Sequence, residues 1–224
     1  MGLEGEGMAV RPRKQRAENA ARRSLQMVEA TLRSVARHGL NETTLASVSR
    51  EAGLSQGVAV FYFASKDRLL AAAFRHHYEV YRQNWQEAIA GAGEDPAARL
   101  AALIRADFSP VVFNREALAV WYAYWGEATA RPIYAEISKA FDGERNEAMG
   151  VICAEIAGCS QEQGREIATA IDALTDGLWL RAHLSQAWRG ADEPLRLTAC
   201  AVARMLPGQG ERVAQMLAGA PHGA

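Results

Sequence analysis

Apolar residues recur along the chain at helical spacing, not in alternation. Leu25, Val28, Leu32 and Val35 fall at i, i+3, i+7 and i+10, one apolar stripe that His38-Gly39 ends. A short second pattern, Leu45, Val48 and Ala52, opens at Thr44 as N-cap and stops at Gly53. A third begins with Ser55 as N-cap and runs to about Phe63. Ser65 then caps a long fourth helix, with Leu70, Phe74 and Tyr81 along its buried side. Asp95-Pro96 reads as a cap followed by proline at the first helical position. Asn114 opens an aromatic helix to about Ala130, and Pro132 starts the next. Ser160-Gln161-Glu162-Gln163 fits a capping box before a helix reaching about Gln186. Glu193-Pro194 precedes a last main helix to about Leu206, where Pro207-Gly208 breaks it. No alternating run is bounded by Asn-Gly or Asp-Gly, so strands are not expected. The pattern predicts an all-α chain of about nine helices. A short-helix head (17–64) joins an antiparallel long-helix body (65–207), flanked by a basic flexible arm (1–16) and a flexible tail (208–224).

Composition narrows the class. The 224 residues are 49% apolar and 23% charged, enough for a sizeable core and unlike a disordered or collagen-like chain. Cys153, Cys159 and Cys200 are odd in number and include no C-x-x-C pair, which reads as reduced cysteine rather than a disulfide framework. The N-terminal stretch has no apolar signal region, and the densest apolar run, Ala117 to Trp125, is about half the ~20 residues that span a bilayer. A cytoplasmic protein is expected. The net charge of −1 hides an asymmetry: residues 10–70 carry eleven basic side chains against five acidic ones. A basic head on an acidic body points to a polyanionic partner for the head.

Only Gly53 and Leu54 separate the second and third helices, which is the spacing of a helix-turn-helix. The second helix of such a pair is narrow enough for a major groove about 12 Å wide, and its N-terminus favours phosphate. Gly53-Leu54-Ser55-Gln56-Gly57 also matches the G-x-S-x-G of hydrolases, but that motif needs a preceding strand and here a helix precedes it. His76-His77 with Glu79 lacks the H-E-x-x-H spacing of zinc enzymes and reads as a helix-surface pair. No phosphate loop or dinucleotide fingerprint is present, so neither enzyme activity nor a cofactor or metal is expected.

The run from Thr43 to Leu70 resembles the DNA-binding domain of TetR-type repressors, with matching markers at Thr44, Ala52-Gly53, Ser55, Gly57, Tyr62-Phe63 and Ser65-Lys66. The resemblance implies that Thr44, Tyr62 and Lys66 contact phosphates, which fixes register. It places Ser55, Gln56, Val60 and Phe61 nearest the bases, with Gly57 allowing close approach. Gln56 suits adenine and Val60 a thymine methyl. The family often has Tyr where Val60 stands.

In the body, Trp121 and Trp125 share a helix face with Tyr124 beside them, and Asp172 and Asp176 lie at i, i+4 on a later helix carrying Trp179. Aromatic faces plus carboxylates suit a quaternary ammonium ion. The same residues also fit core or dimer packing, and the two aspartates a solvated stripe or a partner for Arg181. The segments 117–125 and 171–185 resemble the BetI branch of the family, choline-responsive repressors of glycine betaine synthesis. That likeness implies a small-molecule effector, choline or a relative, and a homodimer on a palindromic double-stranded operator. Its four-helix seam would draw on Leu174, Leu178, Leu184, Leu197, Cys200 and Val202. The competing reading is a helical dimer that binds a protein or membrane through its aromatic helix, with a vestigial head.

Overall fold

The computed structural model describes residues 13–185, 190–206 and 208–219, which form ten helices and no strand. They are α1 (Arg13–Glu42), α2 (Leu45–Glu51), α3 (Gln56–Phe63), α4 (Lys66–Gly91) and α5 (Pro96–Asp107). Then follow α6 (Arg115–Glu127), α7 (Pro132–Ala157), α8 (Gln161–Leu184), α9 (Asp192–Met205) and α10 (Gly210–Ala218). Short polar side chains start most of the predicted helices. Thr44 and Ser160 each close a capping box, with Ser47 and Gln163 respectively. Ser65, Asp95 and Asn114 accept from Arg68, Ala98 and Ala117 backbone N–H groups.

Two cores form. The smaller gathers Met27 and Val28 of α1, Val48 of α2, Ala59 and Phe63 of α3, and Leu69 and Ala73 of α4. The larger fills the body and includes Val35 of α1 and Leu70, Phe74 and Tyr78 of α4. Helix α4 therefore serves both: Leu69 and Ala73 at i, i+4 face the head, while Leu70, Phe74 and Tyr78 on the adjoining stripe face the body. Anything that shifts α4 in the body moves a wall of the head.

Helices α7 and α8 form an antiparallel hairpin, turned by Gly158 in the left-handed conformation (φ 62°). They touch backbone to backbone where Gly164 meets Gly150. A Cβ at Gly164 would collide with the Gly150 carbonyl oxygen and lie 2.7 Å from the Ala154 Cβ. Gly164→Ala is expected to destabilise the protein by about 1–3 kcal/mol in urea unfolding, because the clash is with a packed helix.

The structure corrects four expectations. Leu25 is 43% exposed, since the buried face of α1 runs through Met27, Val28, Ala30 and Thr31. The arm predicted over 1–16 ends earlier, as α1 begins at Arg13, and residues 1–12 lie outside the described ones. The tail predicted over 208–224 is instead ordered through α10, whose Val213 and Leu217 are buried. Gly210 lets this helix turn back on α9, since a Cβ there would sit 2.6 Å from the Val202 carbonyl oxygen. Arg212 also pairs with Asp95 at 2.9 Å. Residues 220–224 lie outside the described ones.

Candidate DNA-facing helix and effector cavity

In the head, Gly53 (φ 65°) makes the turn between α2 and α3, and the Leu54 N–H closes it on the Ser49 carbonyl at 2.9 Å. Gln26 of α1 donates to the Ala52 carbonyl at 2.8 Å, and Arg33 and Arg37 both pair with Glu51, so α1 braces the pair. Ala59 and Phe63 turn inward. Ser55, Gln56, Gly57, Val60 and Phe61 turn outward, and Phe61 is 80% exposed. A phenyl ring that open to water is anomalous for a free surface and normal for one that meets a partner. The Ser55 hydroxyl makes no capping bond, and beyond Gly57 a Cβ would meet only that hydroxyl oxygen, at 3.8 Å. Tyr62 is half-buried, edge-on to Phe61 at 5.1 Å. Thr44 is exposed at the start of α2, and Lys66 Nζ donates to the Asn41 carbonyl at 2.8 Å. These eight residues occupy one end of the molecule around an unobstructed α3.

In the body, α4, α6, α7 and α8 enclose a cavity of about 130 Å³. That is close to the roughly 150 Å³ that accommodates a benzene-sized guest. Tyr78 and Tyr81 line it from α4, Trp121 and Trp125 from α6, Asp142 and Arg145 from α7, and Asp172, Thr175, Asp176 and Trp179 from α8. The Trp121 ring lies 5.4 Å from Trp125 and 6.1 Å from Trp179, and Tyr81 stands 5.7 Å from Trp121. Of the residues predicted for a ligand, Trp121, Trp125, Asp172, Asp176 and Trp179 are brought together here. Tyr124 is not. It stacks on Phe74 at 4.2 Å, donates to the Leu70 carbonyl at 2.8 Å and has no accessible surface. Its role is to fasten α6 to α4.

The polar floor is a buried charge network that the sequence reading missed. Arg145 pairs with Asp107 at 2.6 Å and with Asp172, and its guanidinium lies 5.7 Å from the Tyr81 ring centre. Tyr81 donates to Asp107 at 2.9 Å, and Trp179 Nε1 donates to the Asp107 carbonyl at 2.9 Å. Burial, countered by Arg145 and reinforced by Asp172, raises Asp107 to about 6. Asp142 and Asp176 keep an edge in solvent. Crowding by the surrounding protein raises them to about 6 and about 7, and for Asp176 the Asp172 and Asp107 charges add to the rise. Asp142 accepts from Tyr78 at 3.2 Å. Four carboxylates thus face one guanidinium.

His77, read as a surface histidine, points its Nε2 inward beside Trp121, with ring centres 4.3 Å apart. Burial holds it down at about 3, so the imidazole is neutral. A wider hollow of about 780 Å³ opens between α4, α5 and α10, but it is lined mainly by alanine and glycine and gathers little chemistry.

The predicted seam residues divide. Leu184 and Cys200 are exposed and Leu174 and Leu197 half-buried. Leu178 and Val202 are buried in their own chain, Val202 because α10 folds over it, so these two are not free to meet a partner. Helix α8 does present an outward row of Ala170, Ala173, Gly177, Leu180 and Leu184, with Leu180 at 41% and Leu184 at 71% exposure. Among the described residues no helix is long and apolar enough to cross a membrane.

This architecture, a helix-turn-helix head on a helical body with a lined cavity, is that of a ligand-regulated DNA-binding protein. The family model for bacterial regulatory proteins of the TetR family matches residues 27–73, and that for the BetI-type transcriptional repressor C-terminal domain matches residues 96–207. The HTH-type transcriptional regulator BetI of Burkholderia lata is 35% identical over 167 residues, 73% of this chain and 83% of that protein. Its Burkholderia mallei (strain NCTC 10229) counterpart is 36% identical over 177 residues, 77% of this chain and 85% of that protein. Among solved structures, a transcriptional regulator from Pseudomonas aeruginosa PAO1 superposes with a TM-score of 0.75 at 26% identity, covering 86% of this chain and 94% of that one. A regulator from Saccharomonospora viridis in complex with choline gives a TM-score of 0.70 at 19% identity, covering 81% and 96%. The chain belongs to the TetR family of transcriptional regulators, with a BetI-type C-terminal domain. It is a DNA-binding repressor and not an enzyme.

Proposed function

We propose that the protein holds a palindromic operator as a homodimer and releases it when a quaternary ammonium compound, choline or a close relative, occupies the cavity between α4, α6, α7 and α8. The observation that carries the effector reading is the imbalance of charge inside an aromatic box: Asp107, Asp142, Asp172 and Asp176 against Arg145 alone. A quaternary ammonium ion cannot donate a strong hydrogen bond. Ring faces supply its attraction, at about 0.5–2 kcal/mol each, and surplus carboxylate charge supplies the rest. The choline bound by the Saccharomonospora viridis neighbour, which shares the fold, makes choline the first compound to test.

The outward row on α8 supports a seam between two copies. A dimer would set two α3 helices roughly 34–36 Å apart for successive turns of one duplex face. Leu184→Glu is expected to convert dimer to monomer in sedimentation velocity, and an undisturbed dimer would remove this face from the seam.

The proposed transmission runs through α4. Tyr78 and Tyr81 touch the cavity, and Leu69 and Ala73 wall the head core on the same helix. Effector shifts the equilibrium only by its differential affinity for the released state. The test uses an operator recovered by selection from random-sequence DNA and a choline titration of the complex. Occupancy is expected to fall with choline. If choline, betaine aldehyde and tetramethylammonium all leave it unchanged, the effector assignment fails while DNA binding stands.

A further inference from the structure

The cavity holds two hydrogen-bond donors with nothing to donate to. Trp121 Nε1 and Arg145 Nε are buried, and among the described residues neither has a partner. Both side chains line the same hollow, Trp121 with 1% of its surface exposed and Arg145 with 4%. Their neighbours are paired. Trp179 donates to the Asp107 carbonyl, Trp125 to the Tyr78 hydroxyl, Tyr78 to Asp142 and Tyr81 to Asp107. The other two guanidinium nitrogens of Arg145 are taken by Asp107 and Asp172. Buried donors are almost always satisfied, and two such exceptions in one small hollow call for an acceptor placed between them.

Exposure orders the cavity from outside to inside. Asp142 and Asp176 keep contact with solvent, whereas Trp121 and Arg145 do not. A positive group therefore belongs at the outer end and an oxygen atom at the inner one. The oxygen must be neutral. Asp107 and Asp172 already neutralise Arg145, so a ligand carboxylate would bring a further negative charge into a site that holds a surplus.

We propose that the cavity recognises a two-ended ligand, a quaternary ammonium group beside Asp142 and Asp176 joined by a short link to an uncharged oxygen that accepts from Trp121 Nε1–H and Arg145 Nε–H. The proposal rests on the quaternary ammonium reading above and adds the second end. The rival partner for the indole is His77 Nε2, also unpaired, on a ring 4.3 Å away. Were that pairing the true one, the indole N–H would be indifferent to the ligand.

The experiment is a calorimetric titration of the full-length protein with choline, choline methyl ether and ethyltrimethylammonium, which has the same skeleton without the oxygen. Choline and its ether are expected to bind about tenfold tighter than ethyltrimethylammonium or better, because only they satisfy the donors. In Trp121→Phe, which keeps an aromatic face and loses the N–H, that advantage is expected to fall to about threefold or less while ethyltrimethylammonium binding is kept. In wild-type protein with isotopically labelled tryptophan, choline and its ether should shift the Trp121 indole N–H resonance and ethyltrimethylammonium should not, a comparison that needs no substitution. Equal affinity for choline and ethyltrimethylammonium overturns the oxygen subsite and leaves the ammonium site standing. A full advantage surviving Trp121→Phe, or an indole resonance blind to choline, overturns it as well. Failure of all three compounds to bind overturns both readings.

Discussion

Arg145→Met is expected to destabilise the protein by about 3–5 kcal/mol at pH 8, more than any other single change considered. The arginine is buried between Asp107 and Asp172, and methionine matches its length but not its charge. Removing it leaves Asp107, 1% exposed, with no counter-charge. The deficit should depend on pH with a definite sign. Burial already raises Asp107 to about 6 against the lowering influence of Arg145, so loss of Arg145 raises it further. A carboxyl whose folded value lies above its unfolded one favours the folded state at low pH, and that contribution is lost as pH rises through the folded value. Urea unfolding should therefore show Arg145→Met furthest below wild type at pH 8 and closer to it at pH 5.5. A constant deficit would mean that the arginine matters through packing and not through charge. Adding Asp107→Asn to Arg145→Met should recover part of the loss at pH 8, because the buried charge is then gone.

The second large effect is on effector binding. Choline carries its charge at every pH, so the titration of the site alone sets the dependence. Asp176 stands at about 7 and Asp142 at about 6, and a cation beside them favours their ionised forms. Binding should release protons, and affinity should weaken as pH falls through 7 and then 6. Between pH 8 and pH 5.5 the Kd is expected to rise by about tenfold, the linkage of one carboxyl shifted by about one unit or slightly more. Calorimetry in buffers of different ionisation heat would count the protons directly. An affinity that is flat with pH would place the ammonium away from these two carboxylates. Asp176→Asn should lower the affinity at pH 8 and flatten the upper part of the profile.

The head was legible in the sequence because its determinants are local. Thr44 and Ser65 cap, Gly53 turns, and inward Ala59 and Phe63 leave Gln56, Val60 and Phe61 on the other side within a single short helix. The cavity was half legible. Trp121 and Trp125 share a face at i, i+4, but Tyr124 and Trp125 lie on either side of Trp121, about 100° apart, and α4 crosses on the Tyr124 side. No spacing within α6 says on which side the next helix falls. Arg145 was overlooked for a different reason. It occupies the buried row Ile137, Phe141, Arg145, Met149 of α7, and a charge there is normally assigned to solvent. The signal was an arginine in step with an apolar row. Asp107 gave the same signal at i+3 from Ile104 and i+7 from Leu100 on α5. Val202 and the tail share one cause: Pro207-Gly208 reads as an end, yet Gly210 lets the chain return and cover α9.

The central claim, that a cation among the aromatic rings moves the heads through α4, is tested most directly by a distance between the two recognition helices. Spin labels at Gln56→Cys, in a background with Cys153, Cys159 and Cys200 replaced by serine, would report that separation in the dimer. Without effector the distribution should include the spacing that fits one turn of duplex, about 34–36 Å between recognition helices, and operator should narrow it to that spacing. Saturating choline should move the population away from it. A distribution that stays unchanged at a choline concentration shown by calorimetry to fill the cavity would contradict the account.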